Sequence, residues 1–492
     1  MVLLPATRSV ASFWLVGIAT LLAACSPRTD VGPLVLSAIG KEPALRDPAS
    51  GGLDPSARVL LDATAQGLVR FDATGQIEPG IAERWSVIDN GTSYIFRLRE
   101  GEWPDGRTVT AGDVVRVLRR QIAPRSDNVL APFLTAIDEI VEMTPEVIEI
   151  RLKRPRPDLL KLFAQPELAV FRVAPAGGSG PYRIVAQRGP VVRLRPAFDP
   201  SRATDDDAPE PSADASVKLI GERAALAIAR FQANLSTAVL GGSFTDWPIV
   251  LETQIAPISR RFDPAVGLFG LAVTRRDGVL STAVNRAAIA RTIDRAGFTA
   301  AISPEWEATT QLLPEQLDSA ASPALAPWTQ PLAPGERTPR ATIDAWRAAN
   351  PEDIRLSIAL PPGPGATILY GYVAGALASL GIAAERVAQD APADLRLVDE
   401  VAPYDSARWY VARACQPCGG VAQLAIEAAR NADSPRLRAQ QIAAADSALA
   451  SDIAFIPIAR PLRWSLVAPG LRAWAANTRA WHPLNHLRAD PN

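Results

Sequence analysis

An α/β chain of two lobes with an additional α+β unit is predicted by three features of the sequence. Strand-like and helix-like stretches alternate from residue 217 onward, a denser mixed pattern fills residues 60–118, and clusters of glycine and proline punctuate the seams. The length of 492 residues, 48% of them hydrophobic, suits two or three domains with sizeable cores. With 51 Lys and Arg against 52 Asp and Glu, no long-range basic field exists, so nucleic acid is not an expected partner. Almost all the basic residues are arginine, and beside the abundant Ala and Pro this reads as GC-rich coding before it reads as chemistry.

The N-terminus predicts export. Arg8 precedes an apolar run over residues 10–24, about the length of a signal-peptide core and short for a membrane span. The run ends in Leu22-Ala23-Ala24-Cys25, which resembles the lipobox of bacterial lipoproteins, so Cys25 is the expected lipidation site; an ordinary secretory signal with an incidental cysteine is the alternative. Ser26 follows where Asp often marks retention in the inner membrane, so either membrane can hold the anchor. No later apolar stretch reaches the ~20 residues of a membrane span, so membrane contact is expected through the lipid alone.

Along the body, residues 26–52 read as a tether leading into a first strand at residues 31–39, and residues 60–69 carry helical spacing. Asn90-Gly91 marks a hairpin before the alternating Tyr94-Ile95-Phe96-Arg97-Leu98, and Thr110 is placed to cap a helix with Val114, Val117 and Leu118 on one face. The prolines of residues 153–157 close this region, and Gly177-Gly178-Ser179-Gly180-Pro181-Tyr182 predicts a close backbone crossing near a domain junction. Asp205-Asp206-Asp207, among Ala, Pro and Ser, reads as a solvated loop rather than a metal site. Strands at 217–220 and 237–240 flank a helix at 222–232, a short βαβ unit. Further strands are expected at 268–273, 354–360, 395–401, 453–458 and 464–467, with helices at 282–296, 366–380 and 436–450.

Several of these stretches carry a family resemblance. Gly67-Leu68-Val69-Arg70-Phe71-Asp72, Pro79-Gly80-Ile81-Ala82-Glu83-Arg84-Trp85, Trp103-Pro104-Asp105-Gly106 and Thr110-Ala111-Gly112-Asp113 closely resemble the entry region of the family 5 extracellular solute-binding proteins, the peptide and nickel binding group. Gly178-Ser179-Gly180-Pro181-Tyr182, the segment ending Ile293-Asp294-Arg295, and Ile456-Pro457-Ile458 with Arg463-Trp464 are similar to later landmarks of that family in the right order. The resemblance implies a periplasmic-binding-protein-like fold of type II, cluster C, with an inserted α+β domain. It divides the chain into a signal peptide at 1–24, tether and first part of lobe I at 25–59, insertion at 60–174, lobe I at 175–265, lobe II at 266–462 and a return to lobe I at 463–492.

It further implies the extracytoplasmic substrate-binding component of an ABC importer: a monomer on the periplasmic side that binds a peptide-like solute between its lobes and meets permease subunits. In peptide binders of the family an acidic residue after the lobe II strand pairs with the ligand's ammonium group; Asp405 and Asp399 are the candidates, with Tyr404, Trp409, Trp247 and Arg58 as further cleft residues. Two segments depart from the pattern, Asp399-Glu400-Val401-Ala402-Pro403-Tyr404-Asp405 and Arg195-Pro196-Ala197-Phe198-Asp199-Pro200, which leaves a non-peptide ligand such as a metal chelate, opine or sugar open.

From the residues alone, Cys415 and Cys418 are left as a pair in an oxidising compartment, for which a disulfide, a redox-active motif and half a metal site are the readings. The redox reading makes the alternative function an exported thiol oxidoreductase. His482 and His486 sit four apart, but Pro483 breaks the helix that would align them, so no metal is expected. Neither a Gly-x-Ser-x-Gly elbow nor a phosphate loop occurs, and neither catalysis nor a cofactor is predicted. Trp247 and Trp409 also suit core positions.

Overall fold

The computed structural model describes residues 32–197, 215–315, 317–351 and 353–488. The apolar leader, Cys25, Ser26, the acidic run at 205–207 and residues 198–200 lie outside the described residues.

Among the described residues, three larger sheets carry the architecture. The first has seven strands in the order Tyr182–Arg188, Val191–Pro196, Val217–Glu222, Leu34–Ile39, Ala238–Ser243, Arg463–Val467, Arg260–Asp263. The expected βαβ unit is there, with helix Ala224–Gln232 as its crossover, but its two strands are not neighbours: Leu34–Ile39 lies between them, parallel to both. The second sheet runs Ala383–Ala388, Arg355–Leu360, Leu395–Val401, Gly267–Val273, Phe455–Ala459. The third is antiparallel, in the order Ala82–Ile88, Ser93–Leu98, Val147–Leu152, Ile137–Thr144, and its core takes in Tyr94, Phe96, Val114, Ile148 and Phe163.

The chain passes between the first two sheets twice. Residues 264–266 lead from Arg260–Asp263 to Gly267–Val273, and residues 460–462 lead back from Phe455–Ala459 to Arg463–Val467. Both connectors hold a proline, Pro264 and Pro461. Arg460 ties the second connector to the carbonyl oxygens of Leu312 at 2.8 Å and Gly267 at 3.3 Å. Beside the crossing, the Trp464 indole donates to the Ser243 carbonyl at 2.7 Å and its ring occupies the space a β-carbon on Gly242 would need.

Local chemistry sets most element ends. Thr110 and Asp113 form a reciprocal capping box at the head of helix Ala111–Gln121, satisfying amides that the first turn leaves free. Its buried face is Val114, Val115 and Leu118, with Val117 only partly covered. The helix expected from residue 60 is Pro55–Thr64: Pro55 opens it, and residues 69–71 are strand. The helix expected over 282–296 is two, Ala283–Thr292 and Arg295–Ile302, because Asp294 caps the second by accepting from the Gly297 amide at 2.9 Å.

The glycine-rich turn is a close crossing, as its sequence predicts. A β-carbon on Gly178 would stand 2.6 Å from the Val170 carbonyl oxygen, and one on Gly180 would press on the backbone of Thr64 and stand 2.6 Å from the Ala65 nitrogen. Backbone cannot yield as a side chain can. Gly180→Ala is therefore expected to lower the free energy of unfolding by about 1–3 kcal/mol, read as a shift in the urea midpoint at unchanged slope. An unchanged midpoint would show that the crossing tolerates a methyl group.

Candidate functional site

The loop after strand Leu395–Val401 meets the unit built on the third sheet. At its start the Ala402 carbonyl accepts from Arg479 at 2.9 Å and the Pro403 carbonyl from Gln165 at 2.6 Å. At its end Ser406 caps helix Ala407–Ala414, accepting from the Arg408 amide at 3.3 Å and from the Arg438 guanidinium at 2.7 Å. Asp318 fixes the same corner: it accepts from the Ala407 amide at 2.7 Å and pairs with Arg438 at 3.1 Å. The loop is held at every turn.

Asp405 sits in its middle and is already engaged. Lys161, from helix Leu159–Phe163, and Arg479, from the C-terminal tail, both bond to its carboxylate. The three residues tie three separate parts of the chain together. Arg479 is buried, and burial holds its guanidinium down at about 10. Asp399 is likewise paired, with Arg463 at 2.8 Å, both well shielded beside the second crossing; burial pushes its carboxyl up while Arg463 pulls it down. Arg58 pairs with Glu167 at 2.7 Å and lies 4.8 Å over the Trp481 ring. Neither Asp399 nor Arg58 presents a free charge.

Tyr404 lines a small cavity of about 10 Å³ together with Phe133, Arg156, Asp158, Arg408 and Arg438. The Tyr404 side chain is 3% exposed, its ring meets Phe133 edge-on at 5.9 Å, and burial pushes its phenol up. Burial, reinforced by Arg438 and Arg408, lowers Arg156 to about 9. Burial also raises the Asp158 carboxyl, and the nearby Asp318 adds to that.

Trp247 and Trp409 are core residues. Trp247 packs 4.5 Å from Phe262 and 5.7 Å from Trp464, and Trp409 packs edge-on against Tyr410 at 4.9 Å. A disulfide joins Cys415 to Cys418. Cys415 ends helix Ala407–Ala414, and Cys418 stands immediately before Gly419, the cap of helix Gly420–Asn431, so the disulfide spans the turn between the two helices. His482 and His486 do not converge: the first meets Asp263 at 3.1 Å and the second Glu78 at 2.7 Å.

The sequence reading missed Lys161, Arg479, Arg156, Arg408, Arg438 and Asp158. The arginine-rich composition was a signal that coding bias obscured, and residues 153–157 hold more than a helix-breaking stretch.

The family model for bacterial extracellular solute-binding proteins, family 5, middle region, matches residues 76–342, more than half of the chain. The chain belongs to the family 5 solute-binding proteins. Among family 5 relatives, the probable deoxycholate-binding periplasmic protein YgiS of Escherichia coli is 38% identical over 94 residues, 19% of this chain. The periplasmic murein peptide-binding protein MppA of the same organism is 38% identical over 96 residues, also 19% of this chain. Each alignment spans 17% of the relative's own length. The solved structure of E. coli MppA matches at a TM-score of 0.76 and 17% identity, covering 93% of this chain and 99% of that one. Haemophilus influenzae OppA, solved with the peptide RPPGFSPFR, matches at a TM-score of 0.76 and 15% identity over 92% and 98% of the two chains. The two-lobed periplasmic-binding-protein fold is therefore shared with these proteins nearly end to end.

Asp405→Asn removes the negative member of the three-way tie and leaves the buried Arg479 with the Ala402 carbonyl as its remaining partner. The expected result is a loss of about 1–3 kcal/mol in unfolding free energy and a larger radius of gyration by small-angle X-ray scattering. Identical scattering from parent and variant would show that the tie does not hold the parts together.

Proposed function

We propose that the chain is the extracytoplasmic substrate-binding component of an ABC importer, capturing a peptide or peptide-like solute between its lobes without transforming it. The observation that supports this most is the near end-to-end correspondence with MppA and OppA, whose names and structures refer to peptides, in a family of solute binders. Two lobes joined by two short crossings suit capture by closure: the solute is surrounded, its polar groups leave water, and a closed shape is offered to permease subunits. On this reading the protein is a monomer of the periplasmic side, anchored through a lipid on Cys25, and the division of the chain into signal, tether, lobes and insertion follows the boundaries given above.

The ammonium end of a peptide is assigned to Asp405. Because Lys161 pairs with that carboxylate, the ligand's ammonium takes the place of the Lys161 ammonium, one cation exchanged for another. The exchange keeps the partly exposed carboxylate paired throughout.

Protein taken directly from its own cell envelope is expected to carry a co-purified solute by native mass spectrometry, released on unfolding and of peptide composition. A ligand-free mass, together with no thermal shift from any member of a di- to pentapeptide panel, would overturn the peptide reading. The anchor has its own test. Cys25→Ser is expected to move the protein from the membrane to the soluble fraction and to abolish the acyl mass increment; unchanged membrane association would count against lipidation.

A further inference from the structure

Arg154 and Arg156 reach from the unit built on the third sheet to an element of the second lobe. Each stands before a proline, Pro155 or Pro157, which biases the backbone away from helix, and on such an extended chain side chains two apart share a face. The Tyr94 hydroxyl donates to the Arg156 carbonyl at 2.8 Å and pins the segment to the third sheet. The two guanidinium groups meet the end of helix Gly420–Asn431: Arg156 donates to the Arg430 carbonyl at 2.8 Å, and Arg154 to the Asn431 side-chain oxygen at 3.2 Å. The last carbonyls of a helix have no partner within it and form its negative pole, so cations are favoured there. Asp433, just past the helix, also draws Arg154, while Arg408 and Arg430 oppose it.

The course of the chain gives these contacts their meaning. The third-sheet unit is entered from helix Pro55–Thr64 and left through the turn at 177–182, and both pack on the first sheet. The second lobe joins that sheet through the two crossings at 264–266 and 460–462. No stretch of chain therefore leads directly from the unit to the lobe, and a lobe that swings outward about the crossings leaves Arg154 and Arg156 behind. We propose that these two arginines are a latch, which holds the second lobe against the third-sheet unit and so sets how readily the cleft opens. The latch deepens the capture-by-closure reading and rests on it. It grips a helix end and not the solute, so it weights the closed arrangement whatever the cleft holds. A solute that binds that arrangement gains affinity from the latch without touching it.

The test reads the chain itself first. Spin labels are placed on Met143→Cys of the third sheet and Leu424→Cys of the latched helix, both exposed, in the full mature chain freed of co-purified solute by unfolding and refolding. Their separation is measured by pulsed electron paramagnetic resonance. Asn431→Lys, at an exposed position, sets a cation against Arg154 and is expected to raise the ratio of long to short separations about tenfold; Arg154→Glu alone is expected to do the same. Joining the two substitutions exchanges the charges across the gap and is expected to return the parent distribution, which a merely structural arginine would not do. A parent distribution in either single variant, or no recovery in the pair, would overturn the latch. Tri-alanine then reads the cleft by calorimetry. Binding to Asn431→Lys that is weaker by the same factor of about ten ties the latch to capture, and equal binding to parent and variant would overturn its role in affinity. No binding of tri-alanine to the parent counts against the peptide reading and leaves the latch to be decided by the distance measurement.

Discussion

The first sheet cannot close until the last strand of the chain arrives. Arg463–Val467 lies inside that sheet, antiparallel to both Ala238–Ser243 and Arg260–Asp263, and without it Arg260–Asp263 has no neighbour. Placing it there fixes Trp464 against Gly242 and brings Arg463 to Asp399 of the second lobe. It also delivers the tail that carries Arg479 to Asp405. The pairing of one C-terminal strand thus sets the crossing, the buried ion pair beside it and one arm of the tie across the loop after Leu395–Val401.

Polar contacts gather on that loop. The carbonyl oxygens of Ala402 and Pro403, the Asp405 carboxylate and the Ser406 hydroxyl are each met by a donor from elsewhere in the chain. A loop bonded at this many points is stiff, because several bonds must be released together for it to move. The small cavity beside Tyr404 is the opposite case, with donors left over. One loop therefore presents a closed face on the Asp405 side and an open valence on the Tyr404 side.

Much of the fold was legible because short-range chemistry dictates it. The strand Leu395–Val401 has the bounds its alternation predicts, Thr110 caps the helix it was expected to cap, and Gly381, at φ +69°, follows the helix Pro364–Ser379 where the sequence placed a stop. Register between distant segments was not legible. Nothing local in residues 31–39 says that this strand inserts between two later ones, and the helix from residue 282 is divided by an aspartate that suits a cap as well as a helix surface. Of the candidate site, the family resemblance pointed to Asp405 and Asp399, while the partners of Asp405 lie 244 and 74 residues away in sequence and carry no local signal. Trp247 and Trp409 looked like ligand contacts because a tryptophan's size serves a core and a cleft equally.

The two connectors at 264–266 and 460–462 have a geometric consequence. A rigid body attached to another at two points keeps one rotational freedom, about the line through both. Each connector is three residues long and stiffened by a proline, and Arg460 binds one to the end of the other, so little slack remains for translation or twist. Relative movement of the lobes is thereby reduced to a single angle. A solute entering at any aperture meets the same two walls in the same azimuth, and every perturbation of opening, whether by ligand, salt or substitution, is a displacement along that one coordinate.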